Sequence, residues 1–347
     1  MKSMELRDAW SIDNLRLCER PAPKPGPGQV LLRMKAASLN YRDLVVLQRG
    51  YGALTGTLPL IPVSDGVGEV VELGAGVTRV AAGDRVCPMF MPHWIGGEPT
   101  AERLTRKLGG PIDGVMAEYV AIGEQGVARV PDFLTDEQAA TLPCAALTAW
   151  SALVTHGGVK PGDRILIQGT GGVSLFALQF SKLLGAHVFV LSGSNAKLER
   201  AKEMGADDGL NYRTVPEWGK VVRERAGGEG IDHIIEVGGE KTLPQSLRAV
   251  RVGGTISMIG VLSGGALEGK LGPVVTRQVR LQGITVGHRD GFEAMTRAIA
   301  QHHVQPVIDR VYPFEALREA LDRLAAGAHF GKICIRHSPE REGRTVK

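Results

Sequence analysis

The chain has 347 residues, 43% of them hydrophobic and 22% charged, which excludes a disordered chain, a coiled coil and a disulfide-stapled mini-protein. The 41 Lys and Arg residues nearly balance the 37 Asp and Glu residues and form no basic arm, so nucleic acid is not an expected partner. The sequence has no run of 18 apolar residues, no N-terminus of signal-peptide type and no C-x-x-C pair among its four cysteines. We therefore expect a reduced, cytoplasmic protein of about two domains that binds no membrane.

Residues 1–131 are predicted to form a β-rich first domain, a small barrel. The predicted strands are short and separated by Gly and Pro residues, which interrupt strands, at 29–36, 67–74 and 83–87. Residues 91–113 break this spacing with a long excursion that contains a predicted helix at 100–108. Long excursions of this kind are often functional.

Residues 132–288 change to the pattern of an α/β domain. Thr135 or Asp136 is placed to cap a first helix that continues to Ala146. Apolar strands then alternate with amphipathic helices, which predicts a doubly wound parallel sheet. The predicted strands lie at 164–168, 187–191, 209–212, 231–237, 255–261 and 279–286, and the helices at 173–184, 195–204, 217–226 and 242–250.

Residues 289–347 are predicted to return to the first domain, because they follow the sixth strand of the second. The predicted elements of this stretch are helices at 292–301 and 314–325 and strands at 307–311 and 332–336. The tail from about residue 338 is polar, and we expect it to fray.

A glycine-rich loop lies between the first predicted strand and helix of the second domain. It reads Gly169-Thr170-Gly171-Gly172-Val173-Ser174 and fits G-x-G-x-x-G with a small residue at the third glycine position. Such glycines allow a tight turn and a close approach of the backbone to a pyrophosphate, which lies on the helix N-terminus. The loop therefore predicts dinucleotide binding.

The end of the second predicted strand bears on which nicotinamide cofactor binds. NAD-binding domains usually place an acid there to hold the ribose 2′-hydroxyl, but this chain has Ser192. Ser194 can donate a hydrogen bond, and Lys197 and Arg200 follow within one helical turn. They either contact a 2′-phosphate or form a solvated helix face. The missing acid favours NADP(H) over NAD(H).

Over residues 1–337 the chain resembles the medium-chain dehydrogenase/reductase superfamily, specifically its zinc-independent, quinone-oxidoreductase-like branch. The matching segments besides the glycine loop are Ala37-Ser38-Leu39-Asn40-Tyr41-Arg42-Asp43, Pro62-Val63-Ser64-Asp65-Gly66-Val67-Gly68-Glu69-Val70, Gly83-Asp84-Arg85-Val86 and Leu142-Pro143-Cys144-Ala145-Ala146-Leu147-Thr148-Ala149-Trp150. The resemblance implies a GroES-like catalytic domain, a Rossmann domain and an active site in the cleft between them.

Zinc-dependent members of the superfamily carry Cys, His and Cys where this sequence has Asn40, Ser64 and Cys144. Catalytic zinc needs three good protein ligands, and an amide and a hydroxyl are poor substitutes for thiolate and imidazole. We therefore expect no metal. His93 is interpreted as a surface residue of the excursion. Without a Lewis acid, reduction of a quinone or a conjugated C=C bond is favoured, because these spread the negative charge.

The resemblance also supplies candidate catalytic residues. Tyr51 matches the segment that carries the active-site tyrosine of zinc-independent enoyl reductases, and it is either the acid or a packed tyrosine. Tyr41 and Arg42 occupy the proton-relay segment of zinc alcohol dehydrogenases, although Arg42 is alternatively an ion-pair partner of Asp43. Asn40 is expected to order cofactor or substrate. Asp65 and Cys144 are interpreted as structural.

Other residues are assigned to the cofactor and substrate by position in the family. The implied cofactor contacts are Thr148, Tyr212, Gly260, Val261, Leu262, Val286, Gly287 and Lys332. Tyr51 and Trp94 are expected to line the pocket, although Trp94 is equally readable as a buried loop anchor.

The leading hypothesis is an NADPH-dependent, zinc-independent reductase of small quinones or α,β-unsaturated carbonyl compounds. The alternatives are a zinc-independent alcohol or aldehyde dehydrogenase and an NADPH-binding protein with little turnover. A homodimer is expected from the family, paired through strand 255–261 and its neighbours.

Overall fold

The computed structural model describes residues 1–266 and 271–337 and divides into two compact units. One unit contains Met1–Cys144 and the chain from His288, and the other contains Ala145–Gly287. The C-terminal segment thus belongs to the same unit as the N-terminus. The predicted frayed tail lies outside the described residues. Within the described ranges, no helix has the length and apolar character needed to span a bilayer.

The strands follow one another in chain order as β1 (Lys2–Leu6), β2 (Leu15–Glu19), β3 (Gln29–Ser38), β4 (Asp65–Leu73), β5 (Arg85–Pro88), β6 (Tyr119–Gly123), β7 (Val127–Arg129), β8 (Arg164–Gln168), β9 (His187–Ser192), β10 (Asp208–Asn211), β11 (Ile231–Glu236), β12 (Val250–Met258), β13 (Arg280–Gly283), β14 (Ile308–Pro313) and β15 (Lys332–Arg336). The pair β1 and β2 was not predicted. Both β2 faces are largely exposed, so its sequence lacks the alternation that identifies a half-buried strand.

The α-helices are α1 (Tyr41–Leu47), α2 (Ala101–Thr105), α3 (Asp136–Ala140), α4 (Leu147–Trp150), α5 (Gly172–Leu183), α6 (Asn195–Glu203), α7 (Trp218–Arg225), α8 (Leu243–Ala249), α9 (Gly272–Thr276), α10 (Arg289–His302) and α11 (Leu317–Ala325). Thr135 caps α3 as predicted, through a bond from Gln138 N to its Oγ1 of 3.2 Å. The predicted continuous helix to Ala146 is wrong, because α3 ends at Ala140 and wider π-helical turns follow. Pro143 has no N–H to continue the α-helical ladder there.

The first unit is built on a mixed sheet with the order β14-β15-β3-β4-β5-β7, and β6 pairs with β3. Its apolar core collects Val30, Leu32 and Met34 from β3 together with Leu317 and Leu321 from α11. The unit extends to Cys144, later than the expected boundary at residue 131. The reason is that α3 packs on β3, β4 and β15.

The second unit is a six-stranded sheet with the order β10-β9-β8-β11-β12-β13, and all its pairings are parallel. Numbered within the unit, this is the order 3-2-1-4-5-6 of dinucleotide-binding folds. The predicted doubly wound sheet is confirmed. Strand β12 is longer than expected at its start, and β13 covers only the first part of the predicted strand 279–286. Ligands of such sheets bind beyond the carboxyl ends of the strands, near β8 and β11.

A histidine buried in this sheet makes its stability sensitive to acid. His233 lies in β11, 2% exposed, with Nε2 2.8 Å from Ser257 Oγ of β12. Burial lowers the pKa of His233 to about 4, and Arg280 adds to the effect. The unfolded chain binds a proton near the ordinary pKa of about 6.5, so this contribution to stability is present above that pH and is lost as the pH falls toward 4.

We predict that the urea midpoint drops between pH 7 and pH 5, and that His233→Gln weakens this pH dependence. Buried His337, whose pKa is lowered to about 3, acts in the same direction and leaves part of the dependence in the variant. Burial raises the pKa of Asp43 to about 6, so its contribution has the opposite sign and is lost as the pH rises through 6. Identical pH profiles of wild type and variant would show that His233 does not contribute.

Candidate active site

The glycine loop turns sharply at the carboxyl end of β8. Gly169 has φ +76°, a conformation that favours glycine, and its N–H donates to Leu191 O of β9 at 2.7 Å. Gly171 is the N-cap of α5, which begins at Gly172, one residue before the predicted start. Thr170 is buried between them. The first N–H groups of a 12-residue helix therefore follow the turn, as pyrophosphate binding requires.

Serine at the third glycine position is explained by a hydrogen bond. Ser174 lies in the first turn of α5, is 3% exposed, and its Oγ donates to Gln168 O at 2.7 Å. The bond closes the turn between strand and helix and satisfies the last carbonyl of β8. Val173 precedes it on the same helix turn, half-buried.

A buried carboxylate, which the sequence analysis missed, lies at the end of β11. Glu236 is fully buried, and its two oxygens accept hydrogen bonds from Gln168 Nε2 (2.6 Å), Ser246 Oγ (2.5 Å), Thr242 Oγ1 (2.5 Å), Gly238 N (2.9 Å) and Gly239 N (3.0 Å). These bonds join β8, β11 and α8 beside the glycine loop. The available signal was an acid directly followed by Val237-Gly238-Gly239 at a strand end.

The end of β9 brings together the residues expected at the adenosine ribose. Ser192 is buried, and its Oγ accepts from Ser194 N at 3.3 Å. Ser194 caps α6 through a 3.4 Å bond from Lys197 N. Lys197 is the third residue of α6 and Arg200 lies one turn further.

Gly193 lies between these serines, and the space around it is occupied in part by a residue that the sequence analysis missed. A Cβ on Gly193 would lie 2.8 Å from Tyr212 Oη and 2.8 Å from Arg213 Nε. The hydroxyl and the guanidinium therefore converge on the Ser192–Ser194 turn. Tyr212 was predicted to bind the cofactor, whereas Arg213 was not considered.

The segments predicted at the nicotinamide lie at the same edge of this sheet. Gly260 N donates to Glu236 O at 3.3 Å, and Leu262 N donates to Val237 O at 3.3 Å. Val261 and Leu262 expose their side chains, at 61% and 51%. Apolar groups beyond strand ends suit a nicotinamide ring.

The turn after β13 is constrained. Val286 has φ +53°, which a β-branched residue rarely adopts, and Gly287 has no room for a Cβ, which would lie 2.4 Å from Ser151 Oγ. Strain of this kind concentrates at functional sites. Thr148 is buried in α4, which packs on α5.

The first unit contains a buried polar cluster at the start of α1. Asn40 is the N-cap, and its backbone N–H donates to Asp43 Oδ2 at 2.8 Å. Lys332, the first residue of β15, is 3% exposed, and its ammonium donates to Asn40 Oδ1 at 2.6 Å and to Leu39 O. Lys332 was predicted to bind the cofactor, but its ammonium is directed at Asn40.

Asp65 completes this cluster from β4. Its Oδ1 accepts from Ser64 Oγ at 2.7 Å, and its Oδ2 accepts from Cys144 N at 2.9 Å. Burial raises the pKa of Asp65, which the Lys332 ammonium opposes. Val63, two residues earlier, has φ +69°, a second strained β-branched residue beside candidate site residues.

Two tyrosines lie near this cluster and are partly open to solvent. Tyr51 is 46% exposed and precedes a short 3-10 turn, Gly52–Thr55. Partial burial raises its pKa, which the charge of Arg42 opposes. Tyr41, the first residue of α1, is 49% exposed. A phenol with a raised pKa stays protonated at neutral pH and can donate a hydrogen bond.

Arg42 and Trp94 make structural contacts, which were the alternative for each residue, and their roles in catalysis and in the pocket stay predictions. The Arg42 guanidinium donates to Leu108 O and Gly110 O, both at 3.0 Å, and stacks 4.7 Å over the Phe90 ring. Its Nη1 lies 3.6 Å from Asp43 Oδ1, the ion pair considered as the alternative.

Trp94 is 5% exposed. Its indole N–H donates to Gly97 O at 2.9 Å, and its ring packs edge-on against His288, 5.5 Å between centroids. It is the buried loop anchor considered as the alternative reading. A large aromatic in a long excursion fits either role from sequence alone, and its place in the pocket stays a prediction.

The donor atoms of this cluster do not suit a catalytic zinc ion. Asn40 Oδ1 already faces an ammonium, and Ser64 donates its proton to Asp65. Burial, together with the Asp65 charge, raises the pKa of Cys144, which favours thiol over the thiolate that zinc binds. Across residues 1–266 and 271–337, no group of three or more His, Cys, Asp or Glu side chains could hold a metal ion. These residues therefore do not fit the metal.

Comparisons with known proteins agree with both units. Residues 26–132 match the family model of the alcohol dehydrogenase GroES-like domain, and residues 172–301 match that of the zinc-binding dehydrogenases. A zinc-type alcohol dehydrogenase-like protein of Schizosaccharomyces pombe is 41% identical over 94% of this chain and 96% of its own.

Two solved structures are similar over nearly the whole chain. A putative alcohol dehydrogenase from Sinorhizobium meliloti 1021 has a TM-score of 0.91 at 43% identity and covers 96% of this chain and 98% of its own. An NAD-dependent alcohol dehydrogenase has a TM-score of 0.88 at 33% identity and covers 97% and 99%. The predicted GroES-like and Rossmann folds are confirmed, and the chain belongs to the medium-chain dehydrogenase/reductase superfamily of oxidoreductases.

Proposed function

We propose that this protein is an NADPH-dependent reductase of small quinones or α,β-unsaturated carbonyl compounds that works without zinc. The observation that carries the proposal is that Asn40 and Ser64 stand where metal ligands would be. Asn40 Oδ1 accepts from the buried Lys332 ammonium, and Ser64 Oγ donates to Asp65. A zinc ion would polarise a simple carbonyl. With hydrogen-bond donors alone, acceptors that delocalise the negative charge are the better substrates.

The proposed roles follow from the donors that this chain offers. The bound nicotinamide supplies the hydride. The Asn40 amide and the Tyr51 hydroxyl are the candidate donors to the substrate oxygen, and Tyr51 is the first candidate for the proton. Gly169 through Gly172 and the first turn of α5 hold the pyrophosphate.

The preference for NADPH is supported by the turn after β9. Ser192 replaces the usual acid, while Arg213 and Tyr212 bring donors to the same turn. Lys197 lies in the first turn of the helix that follows. Arginine makes bidentate bonds to phosphate, which are about twice as strong as neutral ones. A structural relative is named as NAD-dependent, so the preference is a property to be measured.

A second candidate is an alcohol dehydrogenase, which the names of the similar proteins favour. The two are separated by following NADPH at 340 nm, first with quinones and enones and then with alcohols and NADP⁺. Rapid NADPH oxidation with the first panel and no reduction of NADP⁺ by alcohols is the expected result. Turnover of alcohols alone would overturn the proposal, and tight NADPH binding with no turnover would favour a binding protein.

Replacing Tyr51 by phenylalanine is expected to lower kcat by about 100-fold, the usual contribution of a general acid. Because the ring stays, the Kd for NADPH and the urea midpoint are expected to match wild type. Tyr312→Phe, in β14, is the matched control for loss of a phenol. If Tyr51→Phe keeps the wild-type kcat, Tyr51 is not the proton donor, and solvent or Tyr41 donates the proton instead.

We also propose a homodimer formed at the edge of the second unit. β12, the centre of the predicted contact, is covered by β11 and β13, so β13 is the outer strand on that side among the residues that the structure describes. Leu281 of β13 is exposed, as are Leu271 and Val275 in the preceding helix segment. We expect light scattering to report a dimer and Leu281→Lys to give monomers, since charge on an edge strand opposes pairing. All four cysteines are free thiols, which supports a cytoplasmic location.

A further inference from the structure

The contact between Lys332 and Asn40 determines which way the Asn40 amide faces. An ammonium has donors only, so the amide atom 2.6 Å from Lys332 Nζ must be the oxygen. Amide orientation is otherwise a choice between two nearly identical shapes. The second Lys332 bond, to Leu39 O, holds the ammonium in place. The Asn40 NH₂ group is thus turned away from Lys332.

That NH₂ group is a buried donor with hydrogen-bonding capacity left over. Asn40 is 9% exposed, and within the described residues its Nδ2 has no hydrogen-bond partner of regular geometry. The Asp65 carboxylate is near enough for the amide to lower its pKa, which leaves at least one of the two N–H groups unsatisfied. Buried polar groups are nearly always paired in native proteins, so an unpaired one needs a reason.

Lys332 also supplies positive charge to this buried cluster, together with Arg42. Its charge lowers the pKa values of Asp43, Asp65 and Cys144, which burial raises. The position of the ammonium is therefore favoured by the surrounding carboxylates as well as by its two acceptors. A residue held in this way can fix the geometry of its neighbour.

We propose that Lys332 is a positioning residue that orients Asn40 so that its Nδ2 donates to the substrate oxygen on which charge develops. This rests on the proposed reductase function. A bound nicotinamide would supply the hydride that forms the new C–H bond at the β-carbon of the enone. The π electrons move to the carbonyl oxygen, and the resulting enolate later takes a proton from Tyr51 or solvent. The Asn40 N–H groups stabilise the enolate oxygen and transfer no proton.

A double-mutant cycle tests this on the full-length enzyme with an enone substrate. We expect Asn40→Ala to lower kcat about 100-fold, as loss of an oxyanion donor does, and Lys332→Met to lower kcat at least about tenfold. The double variant is expected to be no slower than Asn40→Ala, because Lys332 acts through Asn40. Lys332→Arg keeps the donor and is expected to restore most of kcat. Lys220→Met, at an exposed lysine of α7, is the matched control.

The outcomes separate the alternatives. If the losses of kcat in the two single variants multiply in the double variant, the inference is overturned. It is also overturned if Lys332→Met raises the Kd for NADPH and leaves kcat intact, because Lys332 would then act on the cofactor. If Lys332→Met does not fold, Asn40→Ala still tests the donor, because it removes the Nδ2 group. Wild-type kcat in that variant would also overturn the inference. A wild-type enzyme without enone or quinone turnover would instead contradict the proposed function itself.

Discussion

Ser192→Asp is expected to reverse the cofactor preference from NADPH to NADH. The new carboxylate would lie at the end of β9, beside the turn on which Arg213 and Tyr212 converge. It would repel a 2′-phosphate and accept a hydrogen bond from a 2′-hydroxyl. Loss of one charge-assisted hydrogen bond corresponds to about 10- to 100-fold in Kd, and repulsion adds to it. Fluorescence titration of both cofactors measures the change.

Arg213→Gln tests the attraction of the guanidinium for the 2′-phosphate separately from the repulsion that an aspartate at position 192 would cause. It is expected to raise the Kd for NADPH about tenfold and leave that for NADH unchanged, because only the phosphate contact is lost. NADH is the internal control in both variants. Two results would contradict the role of the 2′-phosphate. One is tighter binding of NADH than of NADPH by the wild type, and the other is an equal loss of affinity for both cofactors in Ser192→Asp.

Glu236→Gln is expected to cause the largest loss of stability. The carboxylate accepts five hydrogen bonds, and a glutamine would present an NH₂ group to donors such as Thr242 Oγ1 or Gly238 N. Bonds to a charged group contribute about 1.5–3 kcal/mol each, and buried donors left unpaired cost more. We expect the free energy of unfolding to fall by about 3 kcal/mol or more.

Urea unfolding measures this, with Glu224→Gln as the matched control. Glu224 lies in α7 with an exposed side chain and a 3.8 Å pair to Lys220, so its loss is expected to cost below about 1 kcal/mol. Weaker NADPH binding should accompany the loss in Glu236→Gln, because the network joins β8 to the loops beside the glycine turn. Equal stability of the two variants would show that the Glu236 network is not structural.

The fold was predictable because its signals are local. Each strand and helix of the second unit carries its own pattern, and the glycine loop combines a strand, a turn and a helix start in adjacent residues. The helix break after Ala140 was missed because the apolar spacing to Ala146 continues across Pro143, which interrupts the ladder in mid-helix.

The interactions of the candidate site are less predictable because they join distant parts of the chain. Lys332 contacts Asn40 across 292 positions, and Gln168 contacts Glu236 across 68. Arg213 was missed for a smaller reason: it follows a strand end, and only the fold brings its guanidinium over Gly193. Arg42 is the converse case: a family position suggested catalysis, and the structure shows its guanidinium bonded to two carbonyls and stacked on Phe90.

The central claim is hydride transfer without zinc, supported by a donor set in which Asn40 Oδ1 accepts from Lys332 and Ser64 Oγ donates to Asp65. The most direct test measures zinc content and NADPH-dependent enone reduction on one chelator-washed sample. We predict zinc far below one ion per chain and the same kcat as before washing. Loss of activity on washing, with recovery on adding zinc, would contradict the account.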